Sequence, residues 1–482
     1  MHLSIILRIL GILLMVFSSA MLAPLIMAAL ADDETVTPFF TALVITFASG
    51  LIMWLPVRGV RQELGIRDGF LVTSLFWTVL GLFGALPFAM TQSLELTVVE
   101  AIFESVSGLT TTGATVIVGL DTLPQSILLY RQLLQWLGGI GIIVVAVAIL
   151  PMLGIGGMQL YRAETPGPSK DSKLTPRITE TAKALAIVYV LLTACCALAY
   201  YLAGMNSFDA IAHAFSTVAI GGFSTHDASM GYFQNDTILL ICSLFMFIAA
   251  INFGLHFICW RQRSLKAYRK DSETRFFANV VLIGIVITCS YLILSGTLDT
   301  REGFIHGLFQ AVSITTTTGF ATQDFAAWPT FLPLMLLIFS FMGGCVGSTG
   351  GGVKAMRVML IYKQGVRELK QLVHPSAIIP LKVGNRRVDA AVVSAVWSFI
   401  AVYMISFLTI MLLLMATGLD FTTAFSAVGA SLNNLGPGLG AVAENYAGIG
   451  DTAKALLCFA MLLGRLEVFT LLVLFTPAFW RP

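Results

Sequence analysis

The sequence predicts an all-α polytopic membrane protein. Four pseudo-symmetric repeats, each a helix, a short re-entrant helix, a Gly-centred strand and a second helix, follow two extra N-terminal transmembrane helices. Three observations carry this expectation. Of 482 residues, 57% are hydrophobic and only 11% charged, where a soluble domain carries roughly 25% charged residues. Ten apolar runs approach the roughly 20 residues that cross a bilayer. Finally, one polar stretch recurs: Ser107 to Thr115 (S-G-L-T-T-T-G-A-T), Ser216 to Thr225 (S-T-V-A-I-G-G-F-S-T), Ser313 to Thr322 (S-I-T-T-T-T-G-F-A-T) and Ala430 to Gly438 (A-S-L-N-N-L-G-P-G). Aligned on Gly113, Gly222, Gly319 and Gly436, the copies lie 109, 97 and 117 residues apart, and internal repetition of this kind dictates the architecture.

The runs place helices at about 3–30, 38–57, 69–91, 124–151, 182–204, 236–260, 276–296, 329–362, 390–417 and 452–477. The first is read as an uncleaved transmembrane helix, because Leu3 to Leu30 far exceeds the roughly 7–15 apolar residues of a signal peptide. The first two stand alone as an N-terminal extension, 1–66. The other eight pair around the four polar stretches as repeats 67–175, 176–270, 271–385 and 386–482, each with a central apolar run too short to span. Three of these runs share an F-x-small-V-small pattern, at Phe103 to Ser107, Phe309 to Ser313 and Phe425 to Gly429.

Charge orients the chain. Of 28 Lys and Arg, 22 fall in the loops 58–68, 152–183, 261–275 and 354–388, while the segments bearing the polar stretches hold only Arg301. Basic loops stay cytoplasmic, so the polar stretches are expected to enter from outside and both termini to lie inside. The outer segments are acidic, an arrangement that concentrates cations at a mouth. Glu100, Asp209, Glu302 and Asp420 precede the short helices and are expected to cap them. The seven cysteines are dispersed, which argues against disulfides and structural zinc. No H-E-x-x-H or Ser/His/Asp set points to an enzyme, and no nucleic-acid partner is expected.

The chemistry of the repeated stretches follows from their residue types. A narrow cation site must replace hydration oxygens, and backbone carbonyls do so without a fixed charge that would bind too tightly. Glycine supplies the unusual dihedrals that turn carbonyls inward, and threonine adds hydroxyls. One Gly/Thr turn would mean little. Four at matched positions point to a carbonyl ring around a central pore.

The motifs T-T-T-G-A-T at Thr110 to Thr115, A-I-G-G-F-S-T at Ala219 to Thr225, T-T-T-T-G-F at Thr315 to Phe320 and L-N-N-L-G-P-G at Leu432 to Gly438 closely resemble the Trk/Ktr/HKT superfamily of cation transporters, and within it the bacterial potassium-uptake subunits, over the full length. The resemblance implies that Thr111, Thr112, Ile220, Gly221, Thr317, Thr318, Asn434 and Leu435 present carbonyls to K+, with Gly113, Gly222, Gly319 and Gly436 as filter glycines. In sodium-preferring relatives the first of these is typically serine, so Gly113 favours potassium. The non-threonine second and fourth stretches imply selectivity weaker than that of a four-fold TVGYG channel.

Between Gly343 and Lys354 runs G-G-C-V-G-S-T-G-G-G-V-K. So many glycines, each unfavourable by about 1 kcal/mol, do not sustain a helix, and irregular backbone at membrane depth must line a cavity or be buried in protein. The run is therefore expected just below the filter. The resemblance implies an intramembrane gating loop at Gly343, Gly344, Cys345, Val346, Gly347, Ser348, Thr349, Gly350, Gly351 and Gly352. Arg465 and Glu467 are expected mid-helix in the last span, where charge is expensive and usually functional; the resemblance places Arg465 in the pore beside the loop. Gly138 to Gly141 reads as helix packing, Arg131 as snorkelling or binding an outer-loop acid, and His213 and His306 as packed or hydrogen-bonded on the short helices.

K+ is the one expected small ligand, as cargo, and no organic cofactor is expected. The expected surroundings are membrane lipid and the bacterial cytoplasmic (inner) membrane. The resemblance further implies a homodimer on a cytosolic RCK-type nucleotide-binding subunit (TrkA-like), with the basic loop from Lys354 to Arg387 as docking surface. The alternative is H+- or Na+-coupled potassium symport, for which only Glu467 reads as a deep acid.

Overall fold

The computed structural model of the protein describes residues 2–60, 65–148, 175–329, 331–384 and 386–481. Most of the basic loop 152–183, the end of the expected 124–151 helix and Arg61 lie outside the described residues. The N-terminal pair, α1 (Leu3–Ala31) and α2 (Val36–Val57), crosses at two glycines. A Cβ on Gly11 would sit 2.7 Å from the Gly50 oxygen and one on Gly50 2.7 Å from the Gly11 oxygen, the close approach that small residues permit between membrane helices.

The four repeats then follow one pattern. The first comprises α3 (Arg67–Met90), the short α4 (Val98–Leu109) and α5 (Gln125–Ala148). The second has α6 (Thr175–Leu202), the short α7 (Ser207–Ala219), α8 (Asp236–Ala249) and α9 (Phe253–Gln262). In the third, α10 (Ser272–Leu294) leads to the short α11 (Thr300–Thr315), then α12 (Leu332–Ser340) and α13 (Ala355–Val373). The fourth has α14 (Ala390–Ala416), the short α15 (Phe421–Leu432), α16 (Asp451–Arg465) and α17 (Phe469–Phe475). Between α13 and α14 lies a two-residue antiparallel pairing, Lys382–Val383 with Arg386–Arg387.

Among the described residues, six helices are long and apolar enough to cross a membrane, and two bent pairs pass together. Those pairs correct the sequence reading. The expected spans 236–260 and 452–477 are broken, by 96° between α8 and α9 and by 109° between α16 and α17. With the expected interruption between α12 and α13, the second helix of repeats two, three and four is broken, whereas α5 is continuous from Gln125 to Ala148. The broken ends find partners inside the protein. The Ala250 carbonyl accepts from Cys345 N at 2.8 Å, and the Ala249 and Val218 carbonyls from Thr349 Oγ1 at 3.4 and 2.9 Å. Irregular backbone within a bilayer needs such partners.

Each short helix is capped at its outer end. Asp420 caps α15, accepting from Thr423 N at 3.1 Å. The other three expected caps are corrected: Thr97, Asn206 and Asp299 hold the cap positions, accepting from the backbone N–H of Glu100, Asp209 and Glu302. Glu100 instead closes a capping box by accepting from Thr97 N at 2.9 Å.

Candidate functional site

The inner ends of the four short helices are built alike. The amide of Thr112 donates to Ser107 O, Gly221 to Ser216 O, Thr318 to Ser313 O and Leu435 to Ala430 O, all at 2.8 or 2.9 Å. This six-to-one closure is a Schellman motif, whose turning residue must be left-handed. Thr111, Ile220, Thr317 and Asn434 fill that place with φ of 55°, 55°, 65° and 52°. Non-glycine residues are uncommon there, and a β-branched one is a marked outlier, so the surrounding ring must enforce it.

Two residues on, Gly113, Gly222, Gly319 and Gly436 have φ of 83°, 79°, 85° and 97°. A Cβ on Gly113 would lie 2.0 Å from Gly221 O, one on Gly222 2.1 Å from Thr318 O, one on Gly319 2.0 Å from Leu435 O and one on Gly436 2.8 Å from Thr112 O. Each glycine thus abuts the carbonyl of the next repeat, and the fourth returns to the first. The chain closes a ring. All twelve expected filter residues belong to its four turns, and the oxygens of Thr112, Gly221, Thr318 and Leu435 sit at its joints. The Gly221 oxygen also accepts from Gln135 Nε2 at 2.6 Å.

Above the ring opens a cavity of about 640 Å³, lined by all four glycines and by Asp227, Asp324 and Glu444. Side chains brace its wall. Arg131 donates from Nε to Glu104 at 2.8 Å, from Nη1 to Ser224 O at 3.0 Å and from Nη2 to Thr115 Oγ1 at 3.0 Å. Glu104 also accepts from Val116 N, so this fully buried pair ties the first turn to the second. The acid that Arg131 meets is on a short helix. Gln135 links the second turn further, accepting from Ser216 Oγ at 2.6 Å and Phe223 N at 3.1 Å. Asn434 Nδ2 donates to Thr112 Oγ1 at 3.0 Å across the fourth–first joint.

At the outer rim, His226 lies between two carboxylates, with Nδ1 2.5 Å from Asp121 and Nε2 3.2 Å from Asp209. Burial pulls its pKa down, but the hydrogen bonds and charges of Asp209 and Asp121 outweigh this and hold it above the ordinary histidine value. The hydrogen bond from His226 keeps Asp121 below the usual carboxylate range. His213 pairs with Asp209 O and Ser224 Oγ, and His306 with Thr322 Oγ1, as the sequence led us to expect.

Directly beneath the ring lies the Gly-rich run. Gly351 N donates to Thr317 Oγ1 at 2.8 Å and Gly352 N to Asn433 O at 3.0 Å. A Cβ on Gly351 would lie 1.9 Å from Asn433 O. Glu273 holds both ends of the run, accepting from Val346 N at 2.8 Å and Met356 N at 3.1 Å. Arg465 Nη1 donates to Thr349 O at 3.0 Å. Arg465 ends α16 instead of sitting mid-helix, a position that suits a cation because a helix C-terminus is partially negative. Glu467 follows in a left-handed turn and accepts from Arg357 Nη2 at 2.5 Å. Only about 20 Å³ of open volume remains among Gly350, Gly351, Lys354, Asn434 and Arg465, room for about one water. The sequence reading passes over Gln135 and Glu273, and two readings are corrected: Glu104, expected among the outer-segment acids, is buried against Arg131, and Lys354, expected at the start of a docking surface, turns back into the loop. Glu104 and Gln135 carried a signal, being polar residues within apolar helical runs.

These features define a membrane transporter fold: four pore loops closed about one axis, open above and obstructed below. The family model for TrkH, described as cation transport protein, matches residues 36–481, and the chain belongs to that family. It is 56% identical over 481 residues to the Trk system potassium uptake protein TrkH of Halomonas elongata, and 53% identical over 482 residues to TrkH of Escherichia coli K12, covering all of both chains in each case. It is 42% identical over 481 residues to the Trk system potassium uptake protein TrkG of Escherichia coli K12, covering 100% of this chain and 99% of that relative. Among solved structures, the crystal structure of the potassium transporter TrkH from Vibrio parahaemolyticus matches with a TM-score of 0.94 at 52% identity over the whole of both chains.

Proposed function

We propose that the protein takes up potassium across the cytoplasmic membrane through the carbonyl ring, with the filters opening outward and both termini cytoplasmic. The observation that carries this reading is the closed sequence of contacts from Gly113 through Gly222 and Gly319 to Gly436 and back to Thr112. Peptide oxygens at those joints replace water around a dehydrated K+. The acidic outer cavity gathers cations, and the names of the relatives support potassium as cargo. The run from Gly343 to Gly352 is the gate, with Arg465 adding an electrostatic barrier. A homodimer on a cytosolic RCK-type ring would control it, docking on the basic surface after Lys354.

Channel-like flow is favoured over H+- or Na+-coupled symport by two enclosed acids, each tied to an arginine. Glu467 pairs with Arg357 and Glu104 with Arg131, so each carboxylate already has a fixed cationic partner. The test is ion flux in liposomes containing the purified chain. We expect Rb+ and K+ to pass in preference to Na+, driven by their own gradients. Unselective flux, no flux with or without the ring, or K+ accumulation against its electrochemical gradient would contradict the reading.

A further inference from the structure

Lys354 is the last residue of the Gly-rich run, and its position is unfavourable on two local counts. Its φ is 67°, a left-handed conformation that a non-glycine residue adopts at a cost. It also stands at the N-cap of α13, where the partial positive charge of the helix repels a cation. Its side chain is buried at 8% exposure and turns back into the loop. There Nζ donates to Gly350 O at 2.6 Å and to Ser348 O at 3.4 Å. The carbonyl between them, Thr349 O, is taken by Arg465 Nη1 at 3.0 Å. Three successive loop carbonyls are thus held by two cationic side chains, one from the end of the run and one from the end of α16. Glu467, the acid lining the same small cavity, is engaged by Arg357.

An ammonium group among backbone oxygens is the chemistry by which the ring above would hold a dehydrated alkali ion. We propose that Lys354 is a tethered surrogate ion: its ammonium fills the cation-binding oxygens of Ser348 and Gly350 beneath the ring, pins the loop across the pore, and must leave them for the loop to move. This rests on the reading of the loop as the gate. Removing the charge leaves the loop geometry intact but takes away its charged hydrogen bonds, so the closed state loses weight against the open one.

The test is Rb+ flux into liposomes containing the full-length chain alone, for the unsubstituted protein, Lys354→Met, Lys354→Gln, Lys354→Arg and a deletion of Gly347–Gly352. Loss of a charged hydrogen bond should raise basal flux of the Met and Gln variants roughly tenfold or more. Their Rb+ to Na+ preference should be unchanged, because the ring is untouched. The Arg variant keeps the charge and should stay close to the unsubstituted protein. Two neutral variants guard against one failing to fold, checked by monodisperse elution and thermal melting. Folded Met and Gln variants no leakier than the parent would overturn the proposal. So would an Arg variant as leaky as Met, or a leak that has lost its preference for Rb+. A deletion that leaks while Met and Gln do not sinks the tether alone; a deletion that stays closed sinks the gate itself.

Discussion

A side chain at position 113 has nowhere to go. Its Cβ would stand 2.0 Å from the Gly221 oxygen, so Gly113→Ser must push the first and second turns apart at one joint of the ring. The displaced oxygen no longer completes the set that replaces the hydration shell of K+, so the advantage of K+ over Na+ shrinks. We expect the K+ to Na+ permeability ratio to fall by about tenfold, equivalent to about 1.4 kcal/mol of differential stabilisation, measured as reversal potentials or paired fluxes in liposomes. An unchanged ratio would remove Gly113 from the filter. His226 acts at the rim. Because Asp209 and Asp121 raise its pKa, its protonated contacts stabilise the fold fully below the unfolded value of about 6.5, and this contribution is lost as pH rises through the folded value. Melting temperature should therefore decline as pH rises through that range, and His226→Gln should flatten the decline. An equal decline in the variant would deny the histidine this role. At this scale the glycines were legible, because a repeated Gly after Thr has a conformational reason. The braces were less so: Arg131 is a single charge in an apolar run, and only the fold brings it to Glu104.

The short helices and the breaks beneath them set what the elements can do. Where glycines cluster, the interruption was plain from composition, and Gly343 to Gly352 lies where that reading put it. The breaks after Ala249 and Arg465 were hidden, because hydropathy continues through Ile248 to Phe253 and Leu466 to Leu472, and a length criterion sees one span. Their local signals are Asn252, which accepts from Gly254 N at 2.7 Å to start α9, and the charges Arg465 and Glu467 within an apolar run. The loop packs on the inner ends of α7, α11 and α15 through Thr349, Gly351 and Gly352. Removing Gly347–Gly352 empties that space while leaving the ring. We predict a constitutive leak, at least about tenfold above the parent, with retained preference for K+ in the same flux assay. A deletion variant that stays closed would take the gate out of this loop.

For the whole molecule, the joint between the fourth and first repeats is the one where chain connectivity gives no help. It is also the loosest, at 2.8 Å against 2.0 or 2.1 Å elsewhere. Three polar links close it: Asn434 to Thr112, Tyr446 N to Thr115 O at 2.8 Å, and Lys454 Nζ to Glu100 at 2.7 Å. Lys454 is 3% exposed and Glu100 17%, so Lys454→Met strands a half-buried carboxylate. We expect a loss of about 3 kcal/mol of stability, read as a lower melting temperature, with Lys454→Met/Glu100→Met recovering part of it. A double variant no more stable than the single would place the weakness elsewhere. Internal repetition made the four-part ring readable from the chain alone, whereas the order of its joints needed coordinates. The most direct test of that ring is an anomalous diffraction map from crystals of the protein grown in Rb+. The account predicts peaks on the central axis, bounded by the oxygens of Thr112, Gly221, Thr318 and Leu435; an axis without peaks there, or ions confined to the outer cavity, would contradict it.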